Sequence, residues 1–138
     1  MTGLNWPLST TGHTMIFSRR KLITYAASFI LAVIVLAGLY VWTTLAFTYS
    51  DGERAGYVQK FSRRGWVCKT WEGDLALVNL PGQPAELFPF TVRDDVVAAK
   101  INALVGRRVA LRYAQHVGIP SKCFGDTQYF VTDVHAVE

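Results

Sequence analysis

The sequence predicts one membrane-spanning α-helix followed by a small β-barrel that is OB-like. Three observations lead to this fold class: a long uncharged segment, a series of short alternating strands after it, and one helical period among those strands. No charged side chain occurs between Lys21 and Asp51. After Asp51 the pattern has the order β-β-β-α-β-β, which is typical of the OB-fold, a five-stranded, partly open barrel. An SH3-like barrel is the alternative that the same pattern allows.

The membrane helix is predicted over residues 22–47. At about 1.5 Å per residue the 24 residues from Leu22 to Leu45 extend roughly 36 Å, which is enough to cross a hydrocarbon core of about 30 Å. Cations precede this segment and aromatic rings follow it, as is usual at a membrane interface. The predicted interface residues are Arg19, Arg20, Lys21, Tyr40 and Trp42.

Charge predicts the orientation of the helix. Three of the fourteen Lys and Arg residues precede the apolar segment, and the other eleven share the C-terminal region with all ten Asp and Glu residues. The positive-inside bias therefore predicts residues 1–21 as a cytoplasmic tail and residues 53–138 as an exported domain. A cleaved signal peptide is the competing interpretation, but its apolar core spans only about 7–15 residues. The tail up to Ser18 has the composition of a disordered segment, and Met15 is an alternative translation start.

The exported domain divides into short strands at its turn residues. Arg63-Arg64-Gly65 forms the turn of a first hairpin, and Glu72-Gly73-Asp74 interrupts or bulges the second strand. Asp94 or Asp95 caps a helix that stops at Gly106. The predicted strands are residues 54–62, 66–71 resuming at 75–80, 86–93, 107–114 and 128–137.

Both cysteines, Cys68 and Cys123, lie in the exported part. In an oxidising compartment an even cysteine count favours a disulfide, here closing a loop of about 56 residues. A metal site that also uses His116 and His135 is the alternative, although the spacing of these residues matches no usual metal-binding motif. No metal, no cofactor and no catalytic group is predicted.

Two segments, AGYVQKFSRRGWVCKTWEG and CFGDTQYFV, resemble a group of short bacterial envelope proteins with one apolar helix and a small β domain. The resemblance covers roughly residues 49–138 and implies a bacterial inner-membrane protein with a periplasmic domain. Some similar sequences carry the label phosphogluconate dehydrogenase. This chain lacks the glycine fingerprint and the βαβ unit that such an enzyme requires, so it does not support that activity.

Aromatic and basic residues are the candidates for binding. Core packing is the simplest role for Trp66, Trp71 and Phe124, because a small domain needs large side chains to fill it. In the functional interpretation, Trp71 and Phe124 lie on the barrel face or on the loop before the last strand. Arg63 and Arg64 are candidate contacts for a partner or ligand.

These observations predict a non-enzymatic protein, bound to the lipid bilayer, whose periplasmic barrel binds another envelope protein. A module that binds a small molecule or glycan on the same face is one alternative, and an enzyme with a cysteine nucleophile is another. A domain charge of only +1, from eleven cations and ten anions, and a location outside the cytoplasm predict no nucleic-acid partner.

Overall fold

The computed structural model describes residues 2–3, 18–78 and 81–138. The predicted disordered tail, the alternative start at Met15 and the strand end at Leu80 fall wholly or largely outside the described residues. The chain divides into two compact units, Met1–Ala37 and Gly38–Glu138.

Helix α1, Arg19–Ala46, contains 28 residues, none of them buried. Within the described part of the chain it is the one helix long and apolar enough to cross a membrane. It begins three residues before the predicted start, so the three cations Arg19, Arg20 and Lys21 form its first turn. At about 1.5 Å per residue the helix is roughly 42 Å long, which exceeds the hydrocarbon core of a bilayer.

Among its described residues, the second unit contains the end of α1, followed by five strands and a short helix in the order predicted from the sequence. The five strands form a closed barrel with the neighbour order β1-β2-β3-β5-β4, in which β1 also pairs with β4. All neighbours are antiparallel except β3 and β5. The elements are β1 Ser50–Arg64, β2 Thr70–Leu77, β3 Leu87–Val92, α2 Asp95–Leu104, β4 Arg108–Gln115 and β5 Tyr129–Ala136.

Strand β1 closes the barrel because it is long enough to pair with two neighbours. Its first half, from Ser50 to Tyr57, pairs with β4, and its second half, from Gly56 to Arg64, pairs with β2. The register shifts between Val58 and Lys60, a bulge that bends a strand at such a transition. Because its first half pairs with β4, β1 begins at Ser50, four residues before the predicted start at Arg54.

The predicted second strand over residues 66–71 is wrong. Residues 65–69 form a loop, and β2 begins at Thr70 and continues without a break to Leu77. The predicted interruption at Glu72-Gly73-Asp74 is wrong, and the bulge opposite Asp74 lies in β1, between Val58 and Lys60. Strand β2 continues because Glu72 accepts hydrogen bonds within the barrel wall and Gly73 lets aromatic rings pack against the backbone. A Cβ atom at Gly73 would lie 2.5 Å from Cζ of Phe90.

Helix α2 packs against the barrel through Val97, Ala98 and Ile101. Its predicted cap is confirmed at Asp94, whose carboxylate accepts a hydrogen bond of 2.8 Å from the Val96 amide. The barrel core is aliphatic and aromatic. Its fully buried large side chains are Phe90, Leu75, Ile101, Leu111, Val92 and Val109.

Candidate functional site

A disulfide between Cys68 and Cys123 joins two loops at one end of the barrel. We call these loops L12, residues 65–69 between β1 and β2, and L45, residues 116–128 between β4 and β5. The Cα atoms of the two cysteines lie 4.9 Å apart across a sequence separation of 55 residues. The predicted disulfide is confirmed, although Cys68 lies in a loop and not within a strand.

The two histidines of the alternative metal site each contact an oxygen atom elsewhere in the domain and not the cysteines. His116 Nδ1 is 3.1 Å from the carbonyl oxygen of Phe47, and His135 Nε2 is 3.1 Å from a carboxylate oxygen of Glu53. Both cysteine sulfurs are engaged with each other. The cysteines and histidines are therefore not brought together as a ligand set, and neither sulfur is a free nucleophile in this oxidised form.

A buried carboxylate fixes L45 to the barrel. Glu72 of β2 is only 3% exposed, and its Oε1 accepts hydrogen bonds from the Thr70 hydroxyl at 2.7 Å and the Asp126 amide at 3.1 Å. Its Oε2 accepts a bond of 2.7 Å from the Thr91 hydroxyl. Three donors compensate for the loss of water around the charged group. Glu72 could not be selected from the sequence, because strand alternation carries no information about a contact with Asp126, which lies 54 residues further along the chain.

L45 also depends on Gly125. This glycine has a φ of +156°, and a Cβ atom there would lie 2.6 Å from Cγ2 of Thr91. Thr91 is fully buried, and its hydroxyl also lies 2.9 Å from that of Thr127. The loop therefore has a defined conformation where it crosses β3, which positions the two residues before Gly125, namely Cys123 and Phe124.

The first cleft beside the disulfide, which we call the Trp71 cleft, has a volume of about 200 Å³. It brings together three of the four residues predicted to bind a partner or ligand: Trp71, Phe124 and Arg63. Lys69 and Arg93 line it as well, and sequence reasoning did not select either of them. The binding role of all these residues stays a prediction.

The aromatic rings of the Trp71 cleft are fixed by their neighbours. Trp71 stacks on Phe61 with 5.2 Å between ring centroids, and its indole N–H donates a hydrogen bond of 2.9 Å to Asp95. The guanidinium carbon of Arg63 lies 5.8 Å from the Trp71 ring centroid, and that of Arg93 lies 5.9 Å from the Phe124 centroid. Two arginines therefore lie over aromatic rings in one small cleft, at distances typical of cation–π contacts.

The second cleft, which we call the Trp66 cleft, has a volume of about 500 Å³. Arg64, the fourth predicted residue, lines it together with Trp66, Val67 and Lys122. Trp66 and Val67 are 102% and 94% exposed, so the core-packing interpretation is wrong for Trp66. Trp71 and Phe124 are half-buried, and Trp71 packs against the core cluster from its edge.

The start of L45 contacts the end of α1 within the second unit. The Tyr40 hydroxyl donates a hydrogen bond of 3.0 Å to the carbonyl oxygen of Gly118, which has a φ of +79°. Trp42 is 67% exposed and Tyr40 is 52% exposed, as expected for side chains that would contact lipid headgroups. Their role at a membrane interface stays a prediction.

No family model matches the chain, and no curated protein matches it either. Among solved structures, the chain is similar to a crystal structure of the mitochondrial single-stranded DNA binding protein Rim1 from S. cerevisiae, with a TM-score of 0.51 and 10% identity over 64% of this chain and 96% of that one. A second crystal form of Rim1 gives a TM-score of 0.48 and 12% identity over 67% and 97% of the two chains. At this identity the first likeness supports a small β domain of the OB-like type and nothing finer.

The predicted absence of a nucleic-acid partner is wrong as an exclusion. The Rim1 structure with the TM-score of 0.51 is named as a single-stranded DNA binding protein, so a likeness in fold to such a protein gives no ground for excluding nucleic acid. The exclusion relied on an expected location outside the cytoplasm and on the net charge of the domain. Net charge does not describe how cations are distributed, and here they concentrate around the two loops at one end of the barrel.

Proposed function

We propose that this chain is a single-pass, non-enzymatic membrane protein whose barrel binds another protein of the bacterial envelope. The apolar helix α1 is the anchor, with Arg19, Arg20 and Lys21 on the cytoplasmic side. The barrel then lies in the periplasm, an oxidising compartment in which the disulfide between Cys68 and Cys123 persists.

The observation that carries the proposal is the exposed tip of L12. Trp66 and Val67 project from a loop whose next residue is covalently joined to L45, so both side chains are exposed without being on a free chain end. Tryptophan and arginine are enriched among the residues that contribute most to protein interfaces. A loop that is already constrained loses less conformational entropy on binding than a flexible one.

Site-specific photocrosslinking in intact cells tests this interface. A photoreactive residue at position 66 of the full-length chain is expected to form a protein adduct that gel electrophoresis and mass spectrometry identify. The matched control is position 87, because Leu87 is also an exposed apolar side chain, at 57%, but lies at the far end of β2 and β3. Equal labelling at both positions, or labelling of lipid alone at position 66, would contradict the proposed interface.

Single-stranded nucleic acid is a second candidate ligand, favoured by the charge distribution around the two loops. The clefts beside the disulfide are lined by five cations and two acidic residues. The cations are Arg63, Arg64, Lys69, Arg93 and Lys122. Proteins that bind single strands combine such cations with aromatic rings, and OB-folds use these same loops.

Fluorescence anisotropy with a labelled oligo-dT of fifteen nucleotides tests this second candidate on the full-length protein. Nucleic-acid binding is expected to weaken steeply with salt, because neutralised phosphates release counterions. At a fixed salt concentration, Arg64→Gln is expected to lower the affinity for the oligonucleotide. Arg108→Gln is expected to leave the affinity unchanged, because Arg108 is an exposed residue of β4 that lies outside both clefts. Absence of binding at low salt would remove this candidate.

A further inference from the structure

We infer that the Trp71 cleft is a carboxylate-binding site, which takes an acidic side chain of the protein that docks on L12 and L45. The inference rests on the proposed protein-binding function and names the chemistry of the partner. The observations that carry it are unpaired cations, arginines supported by aromatic rings, and the small size of the cleft.

The cations of the Trp71 cleft form no ion pair with any residue that the structure describes. Among residues 18–78 and 81–138, the ion pairs are Lys100 with Asp133 and His135 with Glu53, so neither Arg63 nor Lys69 nor Arg93 is paired. The carboxylate that lines the cleft, Asp95, instead accepts the indole N–H of Trp71 at 2.9 Å. Three cations and one carboxylate leave the lining of this cleft of about 200 Å³ with a net positive charge, which attracts an anion from outside the chain.

The two arginines are positioned to bind a planar oxyanion. Arg63 lies over Trp71 and Arg93 lies over Phe124, with a second ring, Phe130, 5.8 Å from the Arg93 guanidinium carbon. A guanidinium that lies over a ring keeps its N–H donors in its own plane, where they match the two oxygens of a carboxylate. The ring contacts also restrict the arginine rotamers before a ligand arrives, which lowers the entropy cost of binding.

The same geometry favours a carboxylate over a nucleic-acid base in this cleft. Bases of a single strand bind by stacking on free aromatic faces. Trp71 is already stacked on Phe61 with 9° between the ring planes, and both cleft aromatics have a guanidinium within 6 Å. The rings therefore support the arginines, and the arginines make the contact with the ligand.

Anisotropy titrations of the full-length protein in phosphatidylcholine nanodiscs test the inference with two probes. The first is a fluorescein-labelled hexa-aspartate peptide, and the second is a labelled oligo-dT with the same number of charges. Loss of one bidentate arginine contact changes affinity by about tenfold. Arg63→Gln and Arg93→Gln are each expected to weaken peptide binding by this factor, while the matched Arg108→Gln leaves it unchanged.

Three outcomes would overturn the inference: no peptide binding, peptide binding that Arg63→Gln and Arg93→Gln do not weaken, or oligo-dT binding at least tenfold tighter than the peptide with the same arginine dependence. The last outcome assigns the cleft to nucleic acid. A failure of the proposed protein-binding function is detected by a different experiment, namely crosslinking at position 66, because Trp66 does not line this cleft. Peptide binding without a crosslinked protein would retain the carboxylate site and remove the docking interface.

Discussion

At the scale of single residues, Glu72 shows how one buried charge organises the site. It lies on β2, yet its carboxylate is shared between Thr70 on its own strand, Thr91 on β3 and the Asp126 amide of L45. A buried carboxylate of this kind is stable only while its donors remain in place. The position of L45 beside the disulfide therefore depends on an acidic residue within the barrel wall.

Glu72→Gln is expected to destabilise the domain. An amide nitrogen cannot accept the hydrogen bonds that one carboxylate oxygen now accepts, and leaving a buried donor unpaired costs about 1–3 kcal/mol. Chemical unfolding in mild detergent, followed by tryptophan fluorescence, measures the change. Glu86→Gln is the matched control, because Glu86 is exposed, and we expect it to change stability by less than about 0.5 kcal/mol. Equal effects of the two substitutions would argue against the network.

A second prediction at this scale concerns pH and the ion pair between α2 and β5. The pKa of the Asp133 carboxyl lies below its ordinary value, mainly because the Lys100 ammonium donates a hydrogen bond to it at 3.1 Å. A lowered pKa in the folded state means that the stabilisation is present above the ordinary carboxyl pKa of about 3.9 and is lost as pH falls through the folded value.

Lys100→Gln is therefore expected to lower the melting temperature at pH 7 and to have little effect at pH 2. Thermal unfolding of both chains at the two pH values measures this difference. Arg107→Gln, which removes an exposed cation that forms no ion pair among the described residues, is expected to show no such pH dependence. A Lys100→Gln effect that persists at pH 2 would show that packing, and not charge, causes it.

At the scale of elements, the disulfide converts two surface loops into one constrained structure. L12 holds Trp66 and Val67, and L45 holds Phe124, so the bond fixes the exposed apolar tip relative to the Trp71 cleft. Apart from the bond, little holds L12 in place, because its backbone includes Gly65 at a φ of +129° and none of its residues is buried. The covalent link is thus the main restraint on L12.

Replacement of both Cys68 and Cys123 by serine is expected to reduce stability by about 4 kcal/mol in the chain-entropy model. Crosslinking at position 66 is expected to fall as well, because a mobile loop pays more entropy on binding. Reduction of the native protein should reproduce both effects, whereas reductant should leave the double variant unchanged. Undiminished crosslinking in the double variant would show that the disulfide serves stability alone.

At the scale of the whole molecule, the prediction concerns the membrane. A charge at the centre of a spanning helix costs about 2.5–3.5 kcal/mol on the insertion scale. Val35→Arg, near the middle of α1, is therefore expected to move the protein from the carbonate-resistant membrane fraction to the soluble fraction, whereas Val35→Leu should not. An alkaline phosphatase reporter after Glu138 is expected to be active in the wild-type protein.

The contrary outcomes for the anchor are equally specific. A reporter active only inside the cell would reverse the proposed orientation. A mature protein whose N-terminal residue lies beyond Ala46 would show that α1 is a cleaved signal sequence, since a signal sequence and an anchor share the apolar character of this helix.

Local patterns in the sequence predicted the type and order of the elements but not the bounds of β1 and β2. The uncharged segment predicted α1, the capping carboxylate predicted α2 to within a residue, and the order of strands around α2 predicted an OB-like domain. These features depend on residues within a few positions of one another, so a periodicity of two or 3.6 residues reveals them. The disulfide was predicted from the even number of cysteines and the expected oxidising compartment.

Contacts between distant residues were decided only by the tertiary structure. The bulge in β1, the burial of Glu72 by a loop 54 residues away and the meeting of Arg93 with Phe124 all depend on strand pairing across the barrel. Side-chain alternation states which residues share a face of one strand, but not which loop covers that face. The candidate carboxylate site belongs to this second class, because its cations come from the ends of β1 and β3 and from L12, and only barrel closure makes these neighbours.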